Sequence, residues 1–179
     1  FMCQQVIDRF NRYFEQRKVQ PDYAFAASKA ASEEMNLAPV RFARYLNVAA
    51  EEVLFGPSTS QNTYVLAQAC LERIKPGEAI IVSAQEHEAN SGVWRKLADH
   101  DIDVRIWSID PNNGRLRLSD LLTLLDNKVR LVAVTHCSNL VGEINPVRKS
   151  ADATHEAGGL FLIDGVSFCP HGFPDVDAL

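Results

Sequence analysis

Four polar clusters in this sequence combine residue types that can hold an anion, move a proton or pair with a cationic ring, and each follows a short apolar run. The first, Gly56-Pro57-Ser58-Thr59-Ser60, comes after Val53-Leu54-Phe55 and leads into a helical pattern that begins near Gln61. Hydroxyls and unpaired N–H groups at a helix N-terminus favour negative charge, so a bound phosphate is the functional reading; a Ser58 or Thr59 that merely caps the helix is the structural one. The second, Gln85-Glu86-His87-Glu88-Ala89-Asn90, follows Ile80–Ser83. An imidazole changes charge near neutrality when unperturbed, so a histidine here could stack on a ligand or exchange a proton with it, or His87 could be a solvated histidine between two glutamates. The zinc signature His-Glu-x-x-His needs a second histidine where this chain has Ser91, so no metal site is expected.

The third cluster, Thr135-His136-Cys137-Ser138-Asn139, follows Leu131–Val134 and is succeeded by Gly142 and Asn145-Pro146. It reads either as a surface that meets something polar or as a capped loop, since Asn-Pro starts turns in any protein. Cys137 reads as a packed thiol, because no base is fixed beside it. In the fourth, the apolar run Leu160–Ile163 ends on Asp164-Gly165. An anion in that position costs desolvation energy unless a cation or a strong donor meets it, which makes Asp164 the best single site candidate, with a plain turn aspartate as the alternative.

The elements that must position these residues alternate. β-rich runs at Val53–Phe55, Ile80–Ser83, Val104–Ile109, Leu131–Thr135 and Leu160–Asp164 are separated by helical stretches at Gln61–Ile74, Ala89–Ala98, Ser119–Asp126 and Pro146–Ala157. Such alternation predicts an α/β fold, three-layered, with a mostly parallel sheet whose ligands collect beyond the carboxyl ends of the strands. Strand cores that are apolar at every position predict helices on both faces. Before residue 53 the pattern is helical. Val6, Ile7, Phe10, Tyr13 and Phe14 form one stripe, a second helix is predicted over Tyr23–Met35, and a third after Pro39, carrying Phe42, Tyr45 and Leu46.

Composition excludes several classes. Lys and Arg total 18 against 23 for Asp and Glu, and no basic block offers a stripe for nucleic acid. The longest apolar runs are strand-sized, far below the ~20 residues that cross a bilayer, so no membrane span is expected. The 4 cysteines lie far apart without a Cys-x-x-Cys pair, which favours reduced thiols and a cytoplasmic location.

Taken in order, Ser58-Thr59-Ser60, Glu86-His87-Glu88-Ala89-Asn90, Thr135-His136-Cys137-Ser138-Asn139-x-x-Gly142 and Ile163-Asp164-Gly165 followed by Pro170-His171 resemble the motifs of the class V aminotransferases, in particular their cysteine desulfurase-like branch. The resemblance runs from about Glu51 to the C-terminus. It implies the large domain of a type I pyridoxal 5'-phosphate enzyme acting on an amino acid, working as a homodimer. Thr59 and Ser60 would then bind the cofactor phosphate, His87 would stack on the pyridine ring and assist proton transfer, and Asp164 would pair with the ring nitrogen. Asn139 would orient the substrate carboxylate or the ring's phenolic oxygen.

Two departures qualify this. The family usually carries Gln three residues after the Asp, where this chain has the shorter Ser167, which would reach the phenolic oxygen through a water. No lysine follows Lys149, whereas the family's Schiff-base lysine stands beyond the Asp. The expected organisation is therefore an N-terminal helical segment (1–50) and the first part of the cofactor-binding large domain (51–179), truncated before that lysine. By itself the piece is expected to be inactive and to expose apolar side chains on its N-terminal helices. The alternative is a non-catalytic module that binds phosphate or the cofactor. A Rossmann-type nucleotide domain is not favoured, since no Gly-x-Gly-x-x-Gly follows the first strand.

Overall fold

The computed structural model describes residues 2–179, in two compact units that meet in sequence at Phe55 and Gly56. The second unit is built on four strands, β1 (Ala79–Ser83), β2 (Asp103–Trp107), β3 (Val129–Thr135) and β4 (Leu160–Asp164). All pair in parallel, in the order β2-β1-β3-β4. Four helices accompany them: α3 (Thr59–Leu71), α4 (Glu88–Arg95), α5 (Leu118–Leu124) and α6 (Val147–Glu156).

The alternation of a strand sorts its side chains onto two faces, and both are covered here. Ile80, Val82, Leu131 and Ala133 pack with Ala67 of α3 and Trp94 of α4. Ala79, Ile81, Val132 and Val134 pack with Leu121 of α5 and Val147 of α6. This is the three-layer α/β/α arrangement expected from strands that are apolar throughout. From β1 the chain runs first to β2 on one side and then to β3 on the other. Strand order therefore reverses between β1 and β3, where open α/β sheets hold their ligands.

The run Val53–Phe55 does not form a strand. It follows a short 3₁₀ turn (Ala50–Glu52) that the Val53 N–H closes onto the Ala50 carbonyl, and Pro57, which has no N–H to give a ladder, follows at once. Leu54 is 91% and Phe55 63% exposed, so three apolar residues in a row mark a connector here. The strand expected over Val104–Ile109 stops at Trp107. Ile109 instead pairs antiparallel with Leu116 across a turn that Gly114 permits at φ +72°.

In the first unit, α1 (Gln4–Arg12) runs into a π-helical turn (Tyr13–Arg17), and a single helix, α2 (Ala26–Leu46), replaces the two helices expected around Pro39. Pro39 cannot donate the usual bond to the Met35 carbonyl and its ring crowds that group, yet the helix continues through it. Asn47, left-handed at φ 55°, ends α2 by returning its N–H to the Ala43 carbonyl. Val6, Phe10, Tyr13 and Phe14 lie open on the outside of these turns. No helix among the described residues is long and apolar enough to cross a membrane.

Candidate active site

Ser58 opens α3 from an extended backbone, and its Oγ accepts the Gln61 N–H at 3.2 Å, so the capping role is real. It does not exhaust the helix end. The Thr59 and Ser60 N–H groups find no carbonyl among the described residues, and the helix dipole adds partial positive charge there. The Thr63 hydroxyl, one turn in, donates to the Ala89 carbonyl at 2.6 Å and ties this end of α3 to the start of α4.

At the head of α4, His87 is the cap: its Nδ1 accepts the Ala89 N–H at 3.1 Å, which in the neutral ring leaves the proton on Nε2. The ring itself is exposed. After β3, the loop through Ser138 and Gly142 is pinned from inside. Ser138 is buried, its N–H donates to the Glu143 carbonyl, and the Gly142 N–H returns to the Ser138 carbonyl. Gly142 adopts φ +68°, which a side chain would resist, and Asn139 is held at the tip.

Asp164 closes β4 opposite Thr135 of β3. Its Oδ1 accepts the Val166 N–H at 2.9 Å, and no donor among the described residues reaches Oδ2. The turn that follows rests on a ring stack: His136 and Phe168 lie 3.7 Å apart and 9° from parallel.

These elements converge. Ser58, Thr59, Ser60, His87, Ala89, Thr135, Asn139, Asp164, Val166 and Ser167 line one cavity of about 420 Å³ at the carboxyl ends of β1, β3 and β4. All six residues singled out from the sequence, namely Thr59, Ser60, His87, Asn139, Asp164 and Ser167, are among them. A cavity with hydroxyls and free N–H groups at one end and a half-free carboxylate at another suits a flat, cationic-ringed ligand that carries an anionic tail.

The sequence reading missed what lies beneath. Glu86 is partly buried: its carboxylate accepts from Ser83, Asn90 and the Thr135 N–H, and burial pushes it above the usual carboxylate range, with the negative charge of Asp164 adding to the rise. Asn145, read as a turn starter, is buried and donates to Gln85 Oε1 at 2.8 Å and to the Thr135 carbonyl at 2.9 Å. The available signal was the pair Gln85-Glu86 just beyond a strand that is apolar up to Ser83, much like the signal that drew attention to Asp164. Among the described residues no group of His, Cys, Asp and Glu could hold a metal ion, and the cysteines are free thiols.

The model of the aminotransferase class-V family matches residues 2–179. This chain belongs to that family. Among class-V relatives, an aminotransferase-like protein of Gibberella zeae is 35% identical over 93% of this chain and 42% of its own length. A cysteine desulfurase of Serratia proteamaculans is 34% identical over 85% of this chain and 38% of its own length. In the fold, a cysteine desulfurase of Escherichia coli superposes with a TM-score of 0.85 at 21% identity, covering 97% of this chain and 44% of that one. A desulfurase of Thermococcus onnurineus gives 0.83 at 23% identity, over 92% of this chain and 41% of its own. The chain thus spans about two fifths of the length of these class-V relatives.

One expected result concerns acid stability. Burial holds the His136 ring below the usual histidine range, and its Nδ1 has no hydrogen-bond partner. The unfolded chain therefore binds the proton more readily than the folded one as pH falls through the ordinary histidine range near 6.5. Stability contributed by neutral His136 is complete above that range and is lost as pH falls from it toward the lowered folded value. Thermal melting followed from pH 8 to 5 should show a midpoint that drops on acidification, and His136→Phe, which keeps a stacking ring without a titrating group, should flatten this component. An equal drop in the variant would assign the effect elsewhere.

Proposed function

We propose that this chain supplies the cofactor-binding half-site of a pyridoxal 5'-phosphate enzyme of the cysteine desulfurase-like branch, which acts on an amino acid and works as a homodimer. The observation that carries the reading is the convergence of the α3 N-terminus, His87, Asn139 and Asp164 on one cavity. The residues fit the group at both ends, since the free N–H groups of Thr59 and Ser60 suit a phosphate and the unpartnered Oδ2 of Asp164 suits a protonated ring nitrogen. When bound, pyridoxal phosphate supplies an electron sink for the bonds at an amino acid's α-carbon.

The chain's own residues then have distinct tasks. Thr59 and Ser60 hold the phosphate with two N–H groups and two hydroxyls, donors that the helix has no other use for. Asp164 keeps a proton on the ring nitrogen by placing a carboxylate against it. His87, whose Nδ1 is committed to the Ala89 N–H, presents Nε2–H and the face of its ring to the cavity. Asn139 offers an amide, which suits a carboxylate or a phenolic oxygen. Ser167 is too short to replace a longer amide and favours a water between itself and the ligand.

The test is a titration of the chain with pyridoxal phosphate, read by ligand absorbance and repeated with inorganic phosphate as competitor. Replacing both Thr59 and Ser60 by alanine removes two hydrogen bonds to a charged group, which are worth about 1.5–3 kcal/mol each. Affinity should fall at least about tenfold for both pyridoxal phosphate and inorganic phosphate. Unchanged binding in the double variant would overturn the placement of the phosphate.

A further inference from the structure

Glu86 is a partly buried ionisable group to which the cofactor reading gives no task, and its surroundings explain why a carboxylate stands there. β3 outruns β1: the last β1–β3 partners are Val82 and Ala133, whereas the β3–β4 ladder continues to Thr135 and Asp164. The His136 N–H turns to the Asp164 carbonyl, so the alternation of the strand sends the Thr135 N–H to the other side, where β1 no longer offers a carbonyl. Glu86 supplies the acceptor. Its Oε1 takes the Thr135 N–H at 2.5 Å and the Ser83 hydroxyl at 2.6 Å, and its Oε2 takes the Asn90 amide N–H at 2.7 Å. Asn90 Oδ1 in turn accepts the Trp94 indole N–H at 3.1 Å, with Asn90 and Trp94 both fully buried.

Three donors converge on the carboxylate, which suits the ionised form; a protonated one would have only the Ser83 hydroxyl, turned round, to donate to. Asn90 cannot turn its amide around, because Nδ2 would then face the Trp94 N–H. The carbonyl of Thr135 is gripped as well, by Asn145, which also donates to Gln85. Glu86 therefore holds the N–H of the β3 residue that pairs with Asp164, and Asn145, itself tied to Gln85, holds its carbonyl.

We propose that Glu86 is a positioning residue of the cavity: an ionised, partly buried carboxylate that locks the end of β3 to the first turn of α4 and so sets the spacing between Asp164 and His87. Its consequence for catalysis rests on the cofactor reading above, while its consequence for geometry does not. Asp164 on β4 is the charged group that faces it from a neighbouring strand; β1 and β3 present the neutral Ser83 and a backbone N–H, and its own segment presents His87 and Asn90.

The experiment is a pH titration of the ¹⁵N-labelled chain followed by NMR at the two indole N–H groups. In the wild type the Trp94 signal should move through one titration, at a pH above the ordinary glutamate range, together with the backbone amides of His87 and Thr135. The Trp107 indole, bonded to the Arg117 carbonyl, should not follow it. In Glu86→Gln one donor must face another, so this titration should vanish and the His87 and Thr135 amides should sit at new positions at neutral pH. Pyridoxal phosphate should bind this variant roughly tenfold more weakly, the equivalent of one lost hydrogen bond. A Trp94 signal that does not titrate, one that titrates unchanged in Glu86→Gln, or His87 and Thr135 amides that stay still would each overturn the proposal. If Glu86→Gln fails to fold, the wild-type co-titration decides by the same criteria. A wild type that shows the titration but binds no pyridoxal phosphate would overturn the cofactor reading and leave the positioning role standing.

Discussion

On the proposed cofactor reading, Asp164→Asn in the active enzyme should lower turnover about 10²–10³-fold, the scale on which loss of one preorganised electrostatic contact is felt in an active site. The substitution is nearly isosteric. Asparagine Oδ1 can still accept the Val166 N–H, so the turn after β4 has no reason to change. What disappears is the negative charge beside Oδ2, and a neutral amide cannot keep a proton on a pyridine nitrogen. Binding of the cofactor should weaken but remain detectable, because the phosphate contacts at α3 are untouched. Steady-state kinetics with an amino-acid substrate, set beside a cofactor titration, separate the two effects. Turnover equal to wild type would remove Asp164 from the mechanism.

The largest effect on stability is expected at Trp94. Its side chain is fully buried, packs with Ile80, Val82, Leu97 and Leu131, and donates its indole N–H to Asn90. Trp94→Ala removes that packing and leaves a cavity, which in well-packed cores costs about 3–5 kcal/mol. Trp94→Phe keeps most of the volume but strands a buried carbonyl oxygen on Asn90, a loss of about 1–3 kcal/mol. Urea unfolding of both variants tests this: the midpoint should fall in that order while the slope stays constant. A Trp94→Ala variant that loses less than the Phe variant would mean that the cluster around α4 is not the core described above.

Much of the arrangement was legible in the sequence because it is carried by local patterns. Uniformly apolar runs such as Leu131–Val134 could only be strands covered on both faces, and the first polar residue after each run had to emerge at the sheet's carboxyl end. That logic reached Asp164, His87 and Asn139 without knowledge of their neighbours. It failed where the deciding partner is distant. Val53–Phe55 has the right residues for a strand but no neighbour with which to form a ladder, and Pro39 has the wrong residue for a helix interior, yet the helix continues through it. Glu86 and Asn145 carry no local sign of their roles, because the partner both share, Thr135, lies 49 and 10 residues away respectively.

The strand order also bears on how the cavity opens. Among the described strands β1 and β3 are bonded on both sides, whereas β4 is bonded on β3's side only. Amide exchange should therefore be slowest in the middle of the sheet and faster along β4, whose opening need not disrupt the other strands. Asp164 rides on that less protected strand, while His87 follows one of the two inner strands. Brief detachment of β4 would withdraw the carboxylate and leave the anion-holding end of α3 in place. A ligand that spans both ends would bind the closed form selectively, and its arrival should be read as new protection on β4.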